Sequence, residues 1–386
     1  MARFARPAEI ILVAGEASGD LHAANLVKAL CKLHTGVRCY GMGAGNMRAA
    51  GVEILVDSSR LAVVGITEVL THYREIKAAL RVLQEIIRTR RPDLLILIDY
   101  PDFNLRFAAT AKRAGVKVLY YVSPQVWAWR PGRIKKIGQL VDMMAVVFAF
   151  EVPFYERANV PVRFVGHPLV DEARPSMMHA QAVAHFGLKL DAKIIGLFPG
   201  SRWGEINRLM PVIVESSKLL RARFPDAQFI LPIAPGLDRS LVEAYLDSTA
   251  PPVVLVEDTS IYDVIQVCDA IITASGTATL QIALMATPMA IIYRVSRLSY
   301  WIARHLVTVK HIGLANIVAR QRVVREFIQD DVRPQAIADE IERLLADEAY
   351  AEAMRRDMAG IRAALGEPGG SQKAAQVAVD MLQQDR

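Results

Sequence analysis

Residues suited to binding a diphosphate occur at positions 194–206, IIGLFPGSRWGEI. An apolar run predicts a buried strand, and Pro199-Gly200 predicts a tight turn before the helical pattern of residues 207–222. Gly200 lets the backbone approach a ligand, the helix N-terminus offers unpaired N–H groups, and Arg202 adds a positive charge in fork geometry. An ordinary strand-to-helix turn with a solvated arginine has the same pattern, so this stretch alone leaves both interpretations open.

A second helix in the same half of the chain is predicted to open with small and hydroxyl-bearing residues, namely Ser275, Gly276, Thr277, Ala278 and Thr279. Such residues at a helix N-terminus favour phosphate. Gln281 lies one turn further on, within reach of a ribose hydroxyl. Tyr293-Arg294 and the stretch His311–Asn316, HIGLAN, are expected in polar loops beside the same site. His311 alone is more often a structural histidine than a catalyst.

A carboxylate at the end of an apolar strand is the best candidate for a general base. Asp99 ends the run Leu94–Ile98 and precedes Tyr100-Pro101, so we expect it at the ligand-binding edge of a sheet and partly out of water. A carboxylate in that place can accept a proton from a substrate hydroxyl. A purely structural hydrogen bond to a neighbouring loop is the alternative. The nearby Asp102 and Asn104 are expected to cap the next helix.

The loop after the first apolar run combines two glycines with polar residues, GEASGD at positions 15–20. The glycines suit a tight turn with close backbone approach, while Ser18 or Asp20 suits capping of the following helix. Glu16 is harder to explain as a cap. Glu16, Ser18 and Asp20 are therefore candidate ligand-binding residues, with capping as the alternative for the last two.

Two tryptophans stand beside a cationic run in the stretch SPQVWAWR at positions 123–130. One interpretation is a grip on an amphiphilic anion, formed by Ser123, Gln125, Trp127, Trp129 and Arg130. In the other, the indoles pack beneath the loop, and the basic residues that follow form a solvated helix face. Nucleic acid uses the same residue types, but no recognised nucleic-acid module accompanies them, so we predict no nucleic-acid partner.

An apolar face rimmed by Lys and Arg is predicted within residues 61–91. The pattern is typical of a segment that docks on an anionic membrane surface. A core-facing helix with charges reaching to water is the alternative, because amphipathic helices are common. The predicted membrane patch consists of Val63, Val64, Ile66, Val69, Leu70 and Tyr73.

Composition bounds the class of protein. The 386 residues, 53% of them hydrophobic, predict a globular chain of two or three domains, and the net charge of +6 suits anionic small substrates or membranes as well as nucleic acid. Cys31, Cys39 and Cys268 lack the spacing of a metal or redox motif, so a reducing cytoplasm is expected. The run Ile10–Ala14 is too short for a signal peptide. The uncharged stretch Ala270–Tyr293 is predicted as strand, loop, helix and strand rather than a membrane span.

Apolar runs alternate with helical patterns in two series, which predicts two doubly wound α/β domains with parallel sheets. Ligands of such sheets bind at the carboxyl ends of the strands, so two domains facing each other would form a cleft. The first series has runs at 10–13, 94–98, 116–122, 143–148 and 162–165, and the second at 194–198, 229–233, 253–256, 270–273 and 289–293. The predicted domains are an N-terminal, membrane-docking domain (1–170), a linker (171–192), a diphosphate-binding domain (193–332), and C-terminal helices packing back on the cleft or the N-terminal domain (333–386).

Seven motifs resemble those of the lipid-A-disaccharide synthases, a family of glycosyltransferases with the GT-B fold of two Rossmann-like domains. They occur in order and span most of the chain: AGEASGD (14–20), VVGITEVL (63–70), IDYPDFN (98–104), YVSPQVWAWR (121–130), FVGHPLVDE (164–172), PGSRWGEI (199–206) and SGTATLQ (275–281). The family moves 2,3-diacylglucosamine from its UDP ester to 2,3-diacylglucosamine 1-phosphate, forming a β-1,6 disaccharide and UDP. It acts at the cytoplasmic face of the bacterial inner membrane without an active-site metal or cofactor.

The resemblance implies roles for the residues that match the motifs. Asp99 would be the base for the acceptor 6-hydroxyl, Arg202 would bind the diphosphate, and Asn316 would contribute to the UDP site. Gly200, Ser201 and the segment 275–279 would cradle UDP, while the loops 15–20 and 123–130 would hold the acceptor. A helix dipole and an arginine neutralise a departing diphosphate without a metal ion. A homodimer is left open.

The chain departs from the family pattern at two places. Gln281 stands where Glu is usual, which predicts a weaker hydrogen bond to the ribose diol, and Ala315 stands where Pro is usual before Asn316. Two other functions therefore remain open. One is a GT-B enzyme acting differently on a UDP-hexosamine, as a 2-epimerase or a transferase to another lipid. The other is a non-catalytic, membrane-docked protein that binds nucleotide sugars.

Overall fold

The computed structural model describes residues 6–34, 36–60, 66–124, 132–296, 300–301 and 310–383. The chain divides into two compact units. The first unit contains Met1–Asp171 together with Leu365–Arg386, and the second contains Glu172–Ala364. The four-part division drawn from the sequence stays a prediction, and the tail from residue 333 onwards is shared between the two units.

The first unit is built on a parallel sheet of seven strands in the order β3-β2-β1-β4-β5-β6-β7. The order reverses between β1 and β4, which pair with each other, and this switch point is where open α/β sheets bind ligands. The strands are β1 (Ala8–Ala14), β2 (Val37–Gly43), β3 (Glu53–Asp57), β4 (Leu94–Ile98), β5 (Lys117–Tyr121), β6 (Met143–Val146) and β7 (Val162–Phe164).

Helices connect these strands and cover the sheet, which is why β4 is an unbroken run of buried Leu and Ile. Short 3₁₀ turns occur at Ser58–Arg60 and Ala149–Glu151. The helices are α1 (Ala17–Leu33), α2 (Gly45–Ala49), α3 (Ile66–Arg90), α4 (Pro101–Arg113), α5 (Arg133–Leu140), α6 (Val152–Glu156) and α7 (Leu169–Glu172).

The second unit has a parallel sheet of six strands in the order β10-β9-β8-β11-β12-β13. Its switch point lies between β8 and β11, whose residues Phe198 and Thr273 are direct partners. The strands are β8 (Ile194–Phe198), β9 (Gln228–Pro232), β10 (Val253–Val256), β11 (Ala270–Ala274), β12 (Met289–Tyr293) and β13 (Glu326–Ile328). The predicted doubly wound α/β architecture is confirmed in both units.

The helices of the second unit follow its strands, with a 3₁₀ turn at Gln329–Asp331. They are α8 (His179–His185), α9 (Trp203–Arg223), α10 (Arg239–Glu243), α11 (Ile261–Val267), α12 (Ala278–Leu284), α13 (Leu314–Ala319), α14 (Pro334–Ala346) and α15 (Glu348–Ala364). Asp263 is fully buried and accepts hydrogen bonds from the backbone of Ser176 and Met177, so it fixes the chain that enters α8.

The last helix, α16 (Gly370–Gln383), belongs to the first unit and packs against α1. The Asp171 carboxylate accepts hydrogen bonds from the N–H groups of Gly369 and Gly370, and Lys117 Nζ donates to the Met381 carbonyl over 2.9 Å. The stretch Ala270–Tyr293 forms β11, α12 and β12, as predicted. Within the described ranges, no helix combines the length and apolar character needed to cross a bilayer.

Candidate active site

The loops after β1 and β4 lie side by side in the first unit because Ala14 and Ile98, at the ends of these strands, are paired. We call residues 15–20 and 98–104 the carboxylate site. Gly15 is buried against the Tyr100 ring, and a side chain at Gly15 would collide with that ring. Burial raises the pKa of Tyr100, and the charge of the nearby Glu16 raises it further. The structure thus brings Glu16 and the Asp99 segment together.

Asp99 is half-buried and adopts a left-handed backbone conformation with φ of 46°. Its carbonyl accepts hydrogen bonds from Tyr120 Oη (2.5 Å) and Asn104 Nδ2 (2.6 Å). The prediction that Asn104 caps α4 is wrong, because its amide donates backwards to the carbonyls of Ile98 and Asp99. Asp102 forms an ion pair with Arg133 at 2.9 Å.

The predicted acceptor-binding residues of the first loop differ in their side-chain hydrogen bonds and exposure. Asp20 is 1% exposed, and its carboxylate accepts from the backbone N–H groups of Ala44 (2.6 Å), Asn46 (2.8 Å) and Met47 (3.3 Å). Asp20 therefore caps α2 rather than its own helix. Glu16 occupies the N-cap position of α1 without a side-chain capping bond. Glu16 is half-buried and Ser18 exposed, so both side chains are accessible to a ligand.

Ser123 follows β5 and is buried, with its hydroxyl donating to Glu151 Oε1 over 2.5 Å. Other predicted acceptor residues, Gln125, Trp127, Trp129 and Arg130, lie outside the described residues. So do Val63 and Val64 of the predicted membrane patch. Its other members, Ile66, Val69, Leu70 and Tyr73, fall within α3.

In the second unit, the loops after β8 and β11 are neighbours across the switch point. We call residues 199–202 and 275–279 the diphosphate site. Gly200 has φ of 110°, and a side chain there would collide with the Glu205 carboxylate. That carboxylate accepts hydrogen bonds from Ser201 N (3.1 Å) and Arg202 Nη1 (3.3 Å). The Arg202 side chain is nonetheless 49% exposed, so its guanidinium is accessible to an anion.

The second loop of the diphosphate site presents open backbone. Gly276 has φ of 159°, and a Cβ added there would meet no heavy atom within 4 Å. Ser275 Oγ donates to the Ile312 carbonyl (3.0 Å), and buried Thr279 Oγ1 donates to the Gly276 carbonyl (2.8 Å). Thr277 is exposed, and Ala278 and Gln281 are half-buried.

Gln281 lies near Tyr262 on α11. Burial raises the pKa of Tyr262 to about 12, and the Gln281 side chain acts in the opposite direction. Gln281 thus places a neutral amide at this position.

The HIGLAN stretch is hydrogen-bonded to this loop, but its second half, from Leu314, begins α13 and is not the polar loop expected from the sequence. Besides the bond from Ser275 to Ile312, Ala315 N donates to Thr279 Oγ1 over 3.4 Å. Asn316 is fully buried: its Nδ2 donates to Val324 O and Glu326 Oε1, and its Oδ1 accepts from the N–H groups of residues 323 and 324. All of its hydrogen-bonding capacity is thus used within the protein, and a direct contact to UDP stays a prediction.

Tyr293, at the carboxyl end of β12, is influenced by the start of α9. Burial raises its pKa, the Glu205 charge raises it further, and Arg202 and Arg208 lower it. The adjacent Arg294 donates to the Val332 carbonyl over 2.6 Å, which fixes the loop that leaves the strand.

The sequence did not single out Tyr120 or Glu326. Tyr120 holds the Asp99 carbonyl, and the Glu326 carboxylate accepts from Gly313 N (2.8 Å), Ile312 N (3.1 Å) and Asn316 Nδ2 (2.9 Å). The available signal for Tyr120 was a hydroxyl group inside an apolar strand. Glu326 begins β13 and follows Arg325, so its sequence context gave no such signal. Across the described ranges, no group of three or more His, Cys, Asp or Glu side chains is arranged to hold a metal ion. Independence of the reaction from metal stays a prediction.

A protein-family model described as lipid-A-disaccharide synthetase matches residues 10–380. The chain is 56% identical over 377 residues to the lipid-A-disaccharide synthase of Geobacter metallireducens, with 98% of each chain covered. It is 48% identical over 374 residues to that of Nitrosococcus oceani, with 97% of this chain and 96% of the relative covered.

Solved structures share the fold at low sequence identity. A UDP-GlcNAc 2-epimerase from Neisseria meningitidis has a TM-score of 0.66 at 13% identity, covering 97% of this chain and 100% of the epimerase. The calicheamicin glycosyltransferase CalG4 has a TM-score of 0.62 at 18% identity, covering 98% and 99%. The two-unit α/β architecture is thus of the GT-B type. The chain belongs to the lipid-A-disaccharide synthase family of glycosyltransferases.

Proposed function

We propose that this chain is an inverting glycosyltransferase that moves 2,3-diacylglucosamine from its UDP ester to the 6-hydroxyl of 2,3-diacylglucosamine 1-phosphate. The products are the β-1,6 lipid A disaccharide 1-phosphate and UDP. Family membership supports the reaction class. The pairing of β8 with β11 is the observation that carries the site, because it sets Gly200, Arg202 and Gly276 at one edge of a sheet.

On the acceptor side, Asp99 takes the proton from the 6-hydroxyl as that oxygen attacks the anomeric carbon. The bond from this carbon to the diphosphate oxygen breaks, and UDP leaves with the bonding electron pair. Glu16 and Ser18 are the accessible polar side chains next to the base, so they bind acceptor hydroxyls or its phosphate-bearing ring. Asp20 supports this loop through its bonds to the start of α2.

On the donor side, Arg202, the N-terminus of α9 and the open backbone at Gly276 offset the charge that develops on departing UDP. Ser201 and Thr277 are exposed and donate to phosphate oxygens. Gln281 binds the ribose. Asn316 supports the site indirectly, because it fastens α13 to the chain that enters β13, and the Ala315 N–H of α13 donates to Thr279.

The direct test is incubation of purified protein with both lipid substrates, with and without EDTA, followed by mass analysis for the disaccharide. We expect product and UDP in equal amounts and no loss with EDTA. Asp99→Asn is the control, and it should lower kcat by about 10²- to 10⁴-fold, the usual contribution of a general base. Folded protein that yields no disaccharide refutes the proposal, and epimerisation of UDP-GlcNAc in its place would establish the 2-epimerase alternative.

We further propose that the protein is a peripheral membrane protein that binds the cytoplasmic face of the inner membrane. Both substrates carry acyl chains, and three apolar residues, Val64, Ile66 and Leu70, stand close together in the sequence where α3 begins. Changing these three residues to Ser should abolish co-sedimentation with vesicles containing anionic lipid and leave transfer to detergent-dispersed substrate intact. Unchanged vesicle binding by the folded triple variant would contradict this.

A further inference from the structure

Two consecutive residues at the carboxylate site have left-handed backbone geometry. Asp99 and Tyr100 have φ of 46° and 47°, in a region that residues with a side chain rarely adopt. Such conformations persist only where the surroundings hold them, and they concentrate at functional sites. We therefore expect the residues around Asp99 to make contacts that maintain this backbone conformation.

Two side-chain donors from different elements converge on the Asp99 carbonyl. Tyr120 Oη reaches it from β5 over 2.5 Å, and Asn104 Nδ2 reaches it from α4 over 2.6 Å. The Asn104 amide also donates to the Ile98 carbonyl over 3.2 Å. We call Tyr120 and Asn104 the Asp99 clamp.

Both members of the clamp are fully buried. Burying a phenol and an amide is unfavourable unless their polar groups are paired. Asn104 Oδ1 has no hydrogen-bond partner among the described residues, so burial of this oxygen is unfavourable. The hydrogen bonds of its Nδ2 group are to the carbonyls of residues 98 and 99, so the contribution of the buried Asn104 amide is to hold these two carbonyls.

We infer that Tyr120 and Asn104 are positioning residues for the general base. By holding the Asp99 carbonyl they fix the backbone rotation at Asp99, and with it the direction in which the carboxylate leaves the end of β4. This rests on the proposed role of Asp99. Neither residue touches substrate, so their loss should affect the rate of the chemical step and not the binding of either lipid.

The test is Tyr120→Phe, which removes only the hydroxyl, compared with Tyr40→Phe. Tyr40 is a buried tyrosine of the same sheet whose hydroxyl has no hydrogen-bond partner among the described residues. Because displacement of a catalytic group by about 1 Å costs about 10²-fold, we expect kcat to fall about 10- to 100-fold in Tyr120→Phe, with both KM values within about twofold. Tyr40→Phe should match wild type in kcat. A wild-type kcat in folded Tyr120→Phe overturns the inference.

A double-mutant cycle separates positioning from general damage. In an Asp99→Asn background, adding Tyr120→Phe should leave the residual kcat unchanged, because there is no longer a base to position. Asn104→Ser gives a second, independent variant and should behave in the same way. If Asp99→Asn retains wild-type kcat, the proposed role of Asp99 fails. If Asp99→Asn is impaired while Tyr120→Phe and Asn104→Ser are not, only the clamp fails.

Discussion

Burial and bonding separate the polar residues of these loops into two groups. Asp20 and Asn316 are buried, and their side chains are hydrogen-bonded to nearby backbone groups. Arg202 and Glu16 remain accessible, and among the described residues Arg202 forms an ion pair with the half-buried Glu205. The first group stabilises the loops, and the second is available to substrate. Substitutions in the first group should therefore lower stability, and substitutions in the second should lower activity.

Arg202→Ala should impair catalysis and leave stability nearly unchanged. The surface ion pair with Glu205, 3.3 Å long, contributes about 0–1 kcal/mol to folding, whereas loss of a charge-assisted contact to diphosphate costs more. We expect kcat/KM for the UDP donor to fall at least about 100-fold, or about 2.7 kcal/mol, with an unchanged thermal midpoint.

Arg355→Ala is the matched control, because Arg355 pairs with Glu352 at the same spacing and the same 3.3 Å. It should be neutral in both assays. Wild-type turnover by Arg202→Ala would remove this residue from the diphosphate site.

Gln281→Glu should strengthen UDP binding. A carboxylate accepts hydrogen bonds from a ribose diol about twice as strongly as a neutral amide oxygen does, so we expect the Kd for UDP to fall about 3- to 10-fold by calorimetry. The half-buried position near Tyr262 accommodates a side chain of the same shape. Weaker binding by the folded variant would show that Gln281 uses its N–H group, and that this chain binds the nucleotide by a different contact.

At the scale of elements, Asn316 fastens α13 to the chain that enters β13. Asn316→Ala removes four hydrogen bonds and takes away the Asn316 partner of both the N–H and the carbonyl of buried Val324. We therefore expect the free energy of unfolding of the second unit to fall by about 2–4 kcal/mol, measured by urea denaturation. UDP affinity should fall with it.

The control is Asn207→Ala, because the exposed Asn207 accepts one bond, from Tyr245 Oη. Its effect should stay within about 0.5 kcal/mol. If Asn316→Ala lost UDP affinity at unchanged stability, Asn316 would be a ligand contact instead.

Long apolar strands were predictable from the sequence because each is a continuous buried run, as in β4, β8 and β11. β2 was not predicted, since its sequence VRCYGMG mixes glycines with a charge. Its Gly41 is needed because a side chain there would collide with the Leu12 carbonyl on β1. This close approach between β1 and β2 arises only when the sheet forms, so it cannot be read from the local sequence of β2.

The candidate site was predictable to the extent that it follows strand ends. Gly200, Arg202 and Asp99 stand directly after apolar runs, and the parallel pairing then places their loops at the switch points. The supporting contacts were not predictable, because they join distant positions. Asp20 caps a helix more than twenty residues away, and Tyr120 reaches back to Asp99 from the next strand.

At the scale of the whole molecule, the two units share one strand order, in which the first strand lies beside the second and the fourth. In each unit the loops after the first and fourth strands carry candidate residues, among them Glu16 and Asp99 in the first unit and Arg202 and Thr277 in the second. The units differ in their interiors: His22 and His167 are buried in the first unit, with ring centroids 6.4 Å apart. Stability should therefore respond to pH differently in the two units.

Burial lowers the pKa of His22 from 6.5 to about 4. Burial, with a smaller contribution from His22, lowers that of His167 to about 3. His167 Nδ1 also accepts a hydrogen bond from Leu169 N, which requires an unprotonated nitrogen. Because the folded pKa values lie below the unfolded value, the unfolded chain takes up protons first. The stabilisation is complete above about pH 6.5 and declines towards pH 4, by about 1.4 kcal/mol per pH unit for each histidine.

Native-state hydrogen exchange, corrected for intrinsic rates, should show this decline at pH 7, 6 and 5 in peptides from α1 and β7. Peptides from the second unit, whose described histidines are not buried, should decline less over the same range. His22→Gln removes one titrating group and should reduce the slope in the first unit by about 1.4 kcal/mol per pH unit, whatever its effect at pH 7. His179→Gln, at an exposed position of the second unit, should leave both slopes unchanged. Equal slopes in wild type and His22→Gln would mean that His22 takes up a proton as readily in the folded protein as in the unfolded chain, and would contradict a pKa lowered by burial.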